Sequence, residues 1–234
     1  LVGSEMCIRD RYCIVAFTWL LFTGFGMLPF YISGSIPSVT DAFFETMSGF
    51  TTTGATILDD IEALSHGMLF WRSFSQWIGG LGIVFFTIAV LPIFGVGNQV
   101  LFSAEATGVT HDKIHPKISV MAQCLWTVYL VLTVAEIVLL LIGGMDLFDA
   151  ACHAFSTTAT GGYSTKQASV AYWNSPFIEY VIAIFMILSG INFSLYFMCM
   201  KGRCGQLFKD GELRLYLISV SYTHLRAHET RGNL

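Results

Sequence analysis

Charge is scarce in this sequence. Only 12% of its 234 residues are Asp, Glu, Lys or Arg, whereas a soluble domain carries about 25%. The 12 Lys and Arg residues form no basic stripe, so nucleic acid is not expected as a partner. The sequence contains no nucleotide-binding glycine fingerprint, and none of its six cysteines lies in a C-x-x-C pair. It therefore gives no support to nucleotide, nucleic-acid or structural zinc binding.

Apolar residues dominate instead. They make up 54% of the chain, and the mean hydropathy is +0.65. A helix needs about 20 predominantly apolar residues to cross a bilayer, and four segments are long enough. These segments are residues 12–32, 67–96, 118–144 and 176–200. We therefore predict an all-α membrane protein.

The second apolar segment is longer than one crossing requires. Pro92 and the glycines of "GGLG" (79–82) give it places to tilt or break. The "GGLG" stretch also lacks the preceding strand and the Lys-Ser/Thr pair that a phosphate loop requires. We predict that its glycines allow close helix packing.

Two short segments lie between the apolar spans, "DAFFETMSGF" (41–50) and "DAACHAFS" (149–156). Each begins at an aspartate, which is a good helix N-cap, and each is too short to cross a bilayer. We interpret both as re-entrant helices. Each continues into a polar stretch that contains glycine, "TTTGAT" (51–56) in the first case and "TTATGGYST" (157–165) in the second.

A shift of 108 positions superposes these two regions without gaps. It places Asp41 on Asp149 and Gly54 on Gly162, and further matches continue into the following spans. Internal repeats are typical of transporters and channels. We therefore predict two tandem repeats, each composed of a helix, a re-entrant pore helix, a filter loop and a second helix.

The basic residues predict an orientation in the membrane. The loop 33–65 has no Lys or Arg, and the second polar loop region has only Lys166. Cytoplasmic loops carry an excess of Lys and Arg, so we expect both glycine loops near the outer face. Arg72 would then lie at the outer end of the second span, where its side chain can reach the interface. The basic residues assigned to the cytoplasm are Lys113, Lys117, Lys201, Arg203, Lys209 and Arg214.

The two polar loops have the composition of an ion filter. Irregular backbone at membrane depth is tolerated when it is buried or lines a wet cavity, and carbonyl oxygens can replace the hydration shell of a monovalent cation. Glycine permits dihedral angles that turn successive carbonyls the same way, and the carboxy end of a helix favours a cation. A simple re-entrant turn without an ion is the alternative. The predicted ligands are the backbone carbonyls of Thr52, Thr53, Gly54, Ala159, Thr160, Gly161 and Gly162.

Other polar residues leave alternatives open. Glu136, in the third span, is either a structural or protonated group or part of an ion pathway. Glu45 and His153 occupy equivalent positions in the two re-entrant helices, and we expect them to support the loops from behind rather than to contact ions. An intramembrane hydrolase could use Ser48 or Ser156 with His153, although the sequence has no G-x-S-x-G elbow. A non-conducting membrane scaffold is a further alternative.

The two ends of the chain differ in character from the rest. The DNA string GAGATGTGTATAAGAGAC encodes "EMCIRD" (5–10), and its reverse complement encodes "VSYTHL" (220–225). Such a reciprocal relation is typical of a sequencing-library adapter read at both ends of a fragment. We therefore predict that residues 1–11 and 220–234 are not native, and we exclude them from fold reasoning.

Four motifs together resemble the Trk/Ktr/HKT superfamily of potassium transporters, in particular the bacterial TrkH subunits. They are "DAFFETMSGFTTTGAT", "FWRSFSQWIGGLGI", "LPIFGVG" and "FSTTATGGYST", and the resemblance extends over residues 12–219. It implies a pore of four repeats around one axis, of which this chain would hold the first two. It also implies that the filter glycines, here Gly54 and Gly162, favour potassium, whereas some plant relatives with serine at the first site favour sodium.

The resemblance also implies the wider organisation of the protein. Potassium would be the transported ion, no organic cofactor would be needed, and the protein would not be an enzyme. It would cross the lipid bilayer of the bacterial cytoplasmic membrane several times. A nucleotide-binding regulatory subunit of the TrkA type would bind on the cytoplasmic side, and the full-length protein would form a homodimer. The implied units are a first pore-loop repeat (12–97), a cytoplasmic link (98–117), a second pore-loop repeat (118–200) and a cytoplasmic segment towards a missing third repeat (201–219).

Overall fold

The described part of the chain is built of helices joined by loops. The computed structural model describes residues 13, 16–82, 118–191, 195, 196, 199 and 210–220. Within these ranges the helices are joined by loops and there is no strand, so the predicted all-α class is confirmed. The helices are α1 (Ala16–Ile32), α2 (Val39–Phe50), α3 (His66–Gly80), α4 (Ile118–Ile142), α5 (Leu147–Thr158), α6 (Pro176–Ser189) and α7 (211–220), with a 3-10 turn at Ser169–Trp173. The predicted link 98–117 and both predicted adapter ends, apart from residue 220, lie outside the described residues.

Helix α4 is the one helix of the described ranges that is long and apolar enough to cross a membrane, through the window Leu125–Ile142. Helices α1 and α6 are apolar but shorter within those ranges. The surface of α4 includes Val131, Val134 and Val138, all of which are exposed. An outer face of this kind suits a lipid environment. The prediction of a helix over 118–144 is confirmed, whereas the second and fourth predicted spans continue into residues outside the description.

The two short helices between the spans each have 12 residues, as the re-entrant prediction requires, but they begin earlier than predicted. Ser38 caps α2 by accepting a hydrogen bond from the Asp41 N–H at 3.4 Å, and Asp146 caps α5 by accepting one from the Phe148 N–H at 3.1 Å. The prediction that Asp41 and Asp149 are the N-caps is therefore wrong by one turn. Both lie in the first turn instead, where the amino end of a helix favours negative charge.

Glycines bring α3 close to the ends of both short helices. A Cβ atom on Gly79 would collide with the backbone of Phe50, and one on Gly80 would lie 2.8 Å from the Cα atom of Ala159. The predicted role of "GGLG" in close packing is confirmed by these contacts. Helix α3 ends at Gly80, and Gly82 has a φ of +68°. The helix therefore ends at the glycines where the sequence predicts a break.

Apolar clusters hold the helices together. Helices α4, α5 and α6 pack around Leu140, Ala150, Ile178 and Phe185, all of which are buried. Helices α1 and α2 pack through a second cluster that contains Phe30 and other buried residues. Each short helix is therefore fixed against at least one long apolar helix, and the loop that follows it starts from a defined point.

Candidate ion-binding loops

The loops that follow α2 and α5 have the same backbone conformation at positions 108 residues apart. Thr52 and Thr160 both have a φ of 54°, although a β-branched residue rarely adopts a positive φ. Two residues later, Gly54 and Gly162 have φ values of 75° and 84°. The sequence shift found above thus corresponds to a repeated local structure.

Backbone hydrogen bonds in the two loops also match. The Thr53 N–H donates to the Ser48 carbonyl at 3.0 Å, and the Gly161 N–H donates to the Ser156 carbonyl at 2.8 Å. Each loop therefore turns its N–H groups back towards the carboxy end of its own short helix. The free carbonyls at that helix end are satisfied in this way.

The carbonyl oxygens of the predicted filter residues have no such partners. Backbone carbonyls are obligatory hydrogen-bond acceptors, and they pair with protein groups, water or a ligand. Within the described ranges, no hydrogen bond reaches the carbonyl oxygen of any of the seven predicted ligands. Those residues are Thr52, Thr53, Gly54, Ala159, Thr160, Gly161 and Gly162. Their role in ion binding stays a prediction at this point.

The two loops approach each other directly. A Cβ atom on Gly54 would collide with the carbonyl oxygen of Gly161. No such contact surrounds Gly162, where an added Cβ would meet nothing within 4 Å. Gly54 is therefore needed both for its φ and for its contact with the second loop, whereas Gly162 is needed for its φ alone.

Glu45 supports the segment that follows the first loop. Its buried carboxylate accepts hydrogen bonds from the Thr56 hydroxyl at 3.0 Å and from the Ile57 N–H at 3.0 Å. It also pairs with the Nε atom of Arg72 at 2.7 Å. These contacts confirm that Glu45 acts from behind its loop.

His153 occupies the equivalent position behind the second loop. Its Nδ1 atom lies 2.8 Å from the Asp149 carbonyl, which can only accept, so Nδ1 carries the proton. Its Nε2 atom therefore accepts from the Ser164 hydroxyl at 3.0 Å. Burial lowers the pKa of His153, which favours the neutral ring that this pattern requires. Thr56 and Ser164 are themselves 108 positions apart, so both supports bind equivalent hydroxyl groups.

Arg72 does not reach out to the interface, and that prediction is wrong. Its side chain is 2% exposed and its guanidinium joins the two loop regions. Besides its pair with Glu45, its Nη1 atom donates to the Ser164 carbonyl at 3.0 Å, and its Cζ atom lies 3.7 Å from the centre of the Tyr163 ring. A buried charge is retained when it is paired and hydrogen-bonded, and the carboxylate of Glu45 makes this possible.

Tyr163 ties the end of the second loop to the first repeat. Its single O–H group is shared between the carbonyl oxygens of Glu45 at 3.0 Å and Ala55 at 3.2 Å. The Ala55 carbonyl also accepts from the Ser48 hydroxyl at 2.6 Å. Burial, with a smaller contribution from the charge of Glu45, raises the pKa of Tyr163, so the phenol stays a donor.

Gln76 lies between the same two loops, one turn after Arg72. Its Oε1 atom accepts from the Ser156 hydroxyl at 2.7 Å and from the Tyr163 N–H at 3.3 Å. Sequence reasoning missed Gln76, Tyr163 and the true role of Arg72. One signal was available, because Arg72 and Gln76 are polar residues four positions apart in an otherwise apolar segment and so share a helix face.

Glu136 is fully buried against the last turn of α5. Its Oε2 atom accepts from the Thr158 hydroxyl at 3.4 Å, and its Oε1 atom has no hydrogen-bond partner among the described residues. No Lys or Arg of the described ranges pairs with it. Thr158 directly precedes Ala159, so Glu136 lies behind the start of the second loop rather than in it.

The geometry does not support the hydrolase alternative. The Ser156 hydroxyl donates to Gln76 and the Ser48 hydroxyl donates to Ala55, while His153 contacts Ser164. Among the described residues, His153 therefore activates neither candidate serine. No group of three or more His, Cys, Asp or Glu residues that could hold a metal ion occurs in the described ranges.

Comparison with known proteins places this chain in a family. Residues 3–224 match the family described as "TrkH: Cation transport protein". The chain is 44% identical over 223 residues to the Trk system potassium uptake protein TrkH of Escherichia coli K12, covering 94% of this chain and 46% of that protein. It is 37% identical to the Trk system potassium uptake protein TrkG of the same organism, covering 92% of this chain and 45% of that protein.

A solved structure gives the same result. The crystal structure of the potassium transporter TrkH from Vibrio parahaemolyticus matches with a TM-score of 0.72 and 37% sequence identity, over 90% of this chain and 42% of that chain. The present chain thus spans less than half the length of each of these three relatives. Since the family match covers nearly the whole chain, the protein belongs to the TrkH family of cation transport proteins.

Proposed function

We propose that the complete protein containing this segment takes up potassium across the cytoplasmic membrane as the pore-forming subunit of a Trk-type system. The observation that carries the proposal is the pair of matching loops, whose seven carbonyl oxygens accept no hydrogen bond from the described residues. Carbonyl oxygens of this kind can take the place of water around a monovalent cation. The names of the relatives, which are potassium uptake proteins, support potassium as the ion.

In this proposal the two loops supply part of a ring of oxygen ligands. Gly54 abuts the Gly161 carbonyl, so the two loops are close enough to contribute to one site. Two further repeats, in the part of the relatives that this chain does not cover, would supply the remaining ligands. The fold then corresponds to half of a four-repeat pore in a multi-pass protein of the cytoplasmic membrane.

The partners follow from the same proposal. A cytoplasmic nucleotide-binding subunit of the TrkA type would regulate the pore, and two copies of the complete protein would form a dimer. Of the residues expected to face the cytoplasm, 98–117 and 201–219, the structure describes only 210–219. Co-purification of the complete protein with and without a TrkA-type subunit, followed by mass measurement in detergent, tests both statements.

Ion uptake tests the function itself. The complete reading frame that contains residues 12–219 is expressed in a cell that lacks its own potassium uptake systems, and uptake of rubidium or potassium is measured against sodium. We expect potassium-selective uptake. In the same cell, Gly54→Ser should relax the preference for potassium, because the new side chain strains a backbone with φ 75° and places a hydroxyl near the second loop.

Two outcomes would contradict this reading. No uptake by the verified, membrane-inserted protein would favour the scaffold alternative over transport. Unchanged selectivity of the Gly54→Ser variant at normal expression would remove Gly54 from the proposed filter. Gly34→Ser is the matched control, since Gly34 also has a positive φ (72°) but an added Cβ there would meet nothing within 4 Å.

A further inference from the structure

Gln76 belongs to neither loop, yet its side chain is fully buried between them. We propose that Gln76 is a positioning residue that fixes the second loop against the first and so maintains ion selectivity. The inference rests on the function proposed above and adds a determinant of selectivity that lies outside the loops.

The hydrogen bonds of Gln76 close the second loop at both ends. Ser156 precedes the loop, within α5, and Tyr163 follows it directly. Both donate to the same atom, Oε1 of Gln76, at 2.7 Å and 3.3 Å. One side-chain oxygen therefore holds the two ends of the loop at a fixed separation.

The carboxamide of Gln76 also fills the space behind the loop. A Cβ atom on Gly161 would lie 2.5 Å from Oε1 and 2.6 Å from Nε2, so Gly161 is pressed against the side chain. The carbonyl oxygen of Gly161 in turn abuts Gly54. Contact is thus continuous from α3 through the second loop to the first, and a shift of Gln76 would move the carbonyls of both.

The two repeats differ at this point. In the first repeat the Ser48 hydroxyl donates directly to the Ala55 carbonyl at 2.6 Å. In the second repeat the equivalent serine, Ser156, donates to Gln76 instead. The residue 108 positions after Gln76 is Ile184, which cannot accept a hydrogen bond. Of the two equivalent serines in the described residues, Ser156 is thus the one that bonds to a side chain of the neighbouring helix α3.

One atom of Gln76 is left over. Its Nε2 atom is buried and has no hydrogen-bond partner among the described residues. The two donors on the other side fix which end of the carboxamide is the oxygen. A buried donor without a partner is rare in folded proteins and calls for an explanation. The explanation is that the carboxamide is kept for its oxygen, Oε1, which accepts the two hydrogen bonds at the second loop.

The test uses the complete protein in a cell that lacks potassium uptake. Three variants are compared with the wild type for the ratio of potassium to sodium uptake, the maximal rate and the apparent KM. Gln76→Met removes the acceptor at similar length, and Gln76→Glu keeps an acceptor oxygen. Ser73→Ala is the control, since Ser73 is buried on the same helix and makes no hydrogen bond to either loop.

We expect Gln76→Met to lower the selectivity ratio by about tenfold, the effect of losing roughly one to two hydrogen bonds. Gln76→Glu should recover much of that loss, and Ser73→Ala should match the wild type. A purely structural role would lower the amount of protein and the maximal rate but leave the selectivity ratio unchanged. Wild-type selectivity of Gln76→Met, or equal losses in the Met and Glu variants, would overturn the proposal.

A poorly folding Gln76→Met protein would not end the test. Ser156→Ala removes one of the two donors while Tyr163 keeps the other, so selectivity should fall in the same direction by a smaller factor. Wild-type selectivity of Ser156→Ala would then overturn the proposal. If the wild type itself takes up no potassium, the proposed function fails and this inference fails with it, whereas a selective wild type with unaffected variants refutes the role of Gln76 alone.

Discussion

Replacing Arg72 with methionine would leave the carboxylate of Glu45 buried without its cation. The pair is 2.7 Å apart, and its two side chains are 2% and 0% exposed. Removing one partner of a buried ion pair destabilises a protein by about 3–5 kcal/mol, because the other charge stays behind uncompensated. After the change, Glu45 still accepts hydrogen bonds from Thr56 and Ile57. We therefore expect a loss near the lower end, about 3 kcal/mol.

The converse change is expected to cost more. Glu45→Gln removes the negative charge that pairs with the guanidinium of Arg72, which keeps the Ser164 carbonyl and the Tyr163 ring as its other partners. It also offers one oxygen where the carboxylate offered two, so the loss should be about 4–5 kcal/mol. The double variant carries no buried charge here. We expect it to lose about 3–5 kcal/mol in total, rather than the sum of the two single losses, since neighbouring residues are not additive.

The free energy of unfolding of the complete protein can be followed in mixed micelles as the fraction of denaturing detergent rises. Lys166→Met is the matched control, because Lys166 and Glu62 are 3.9 Å apart and their side chains are 25% and 45% exposed. An exposed pair is worth about 0–1 kcal/mol. Losses below about 1 kcal/mol for Arg72→Met, or additive losses in the double variant, would refute the reasoning.

Further predictions concern the loop glycines and the isolated chain. Gly54→Ala should lower the ratio of potassium to sodium uptake by the complete protein more than Gly162→Ala does, because an added Cβ at Gly54 strikes the Gly161 carbonyl and one at Gly162 meets nothing within 4 Å. Equal ratios for the two variants in the uptake assay would contradict the difference. The purified 234-residue chain should show no potassium-selective flux in liposomes, because two loops give an incomplete ring of oxygen ligands and expose polar backbone to lipid. Robust selective flux would show that this segment is sufficient.

The arrangement of the short helices could be predicted from the sequence because it depends on local patterns. Helices α2 and α5 and the loops after them follow from apolar segment lengths, from glycines and from the 108-residue shift. The start of each short helix was misplaced by one turn, since Ser38 and Asp146 compete with Asp41 and Asp149 as caps. Both kinds of residue suit the amino end of a helix, and only the backbone conformation separates them.

The contacts behind the loops could not be predicted in the same way. Glu45 and Arg72 are 27 positions apart, and Tyr163 reaches a carbonyl 118 positions away. Such pairs depend on how α2, α3 and the second loop pack in three dimensions. When no partner is identified, an arginine near the end of an apolar span is expected to reach water. For this reason the sequence does not predict the pairing of Arg72 with Glu45.

Glu45 and His153 support corresponding positions with unlike chemistry, a carboxylate in one copy of the unit and an imidazole in the other. The two loops have matching φ values despite this difference. Their backbone conformation therefore depends on the helix end and the glycines more than on the supporting side chain. The side chains behind each loop can therefore differ while the loop backbone keeps the same conformation. In such a fold, the residues behind the loops can change in charge and in contacts without altering the loop backbone.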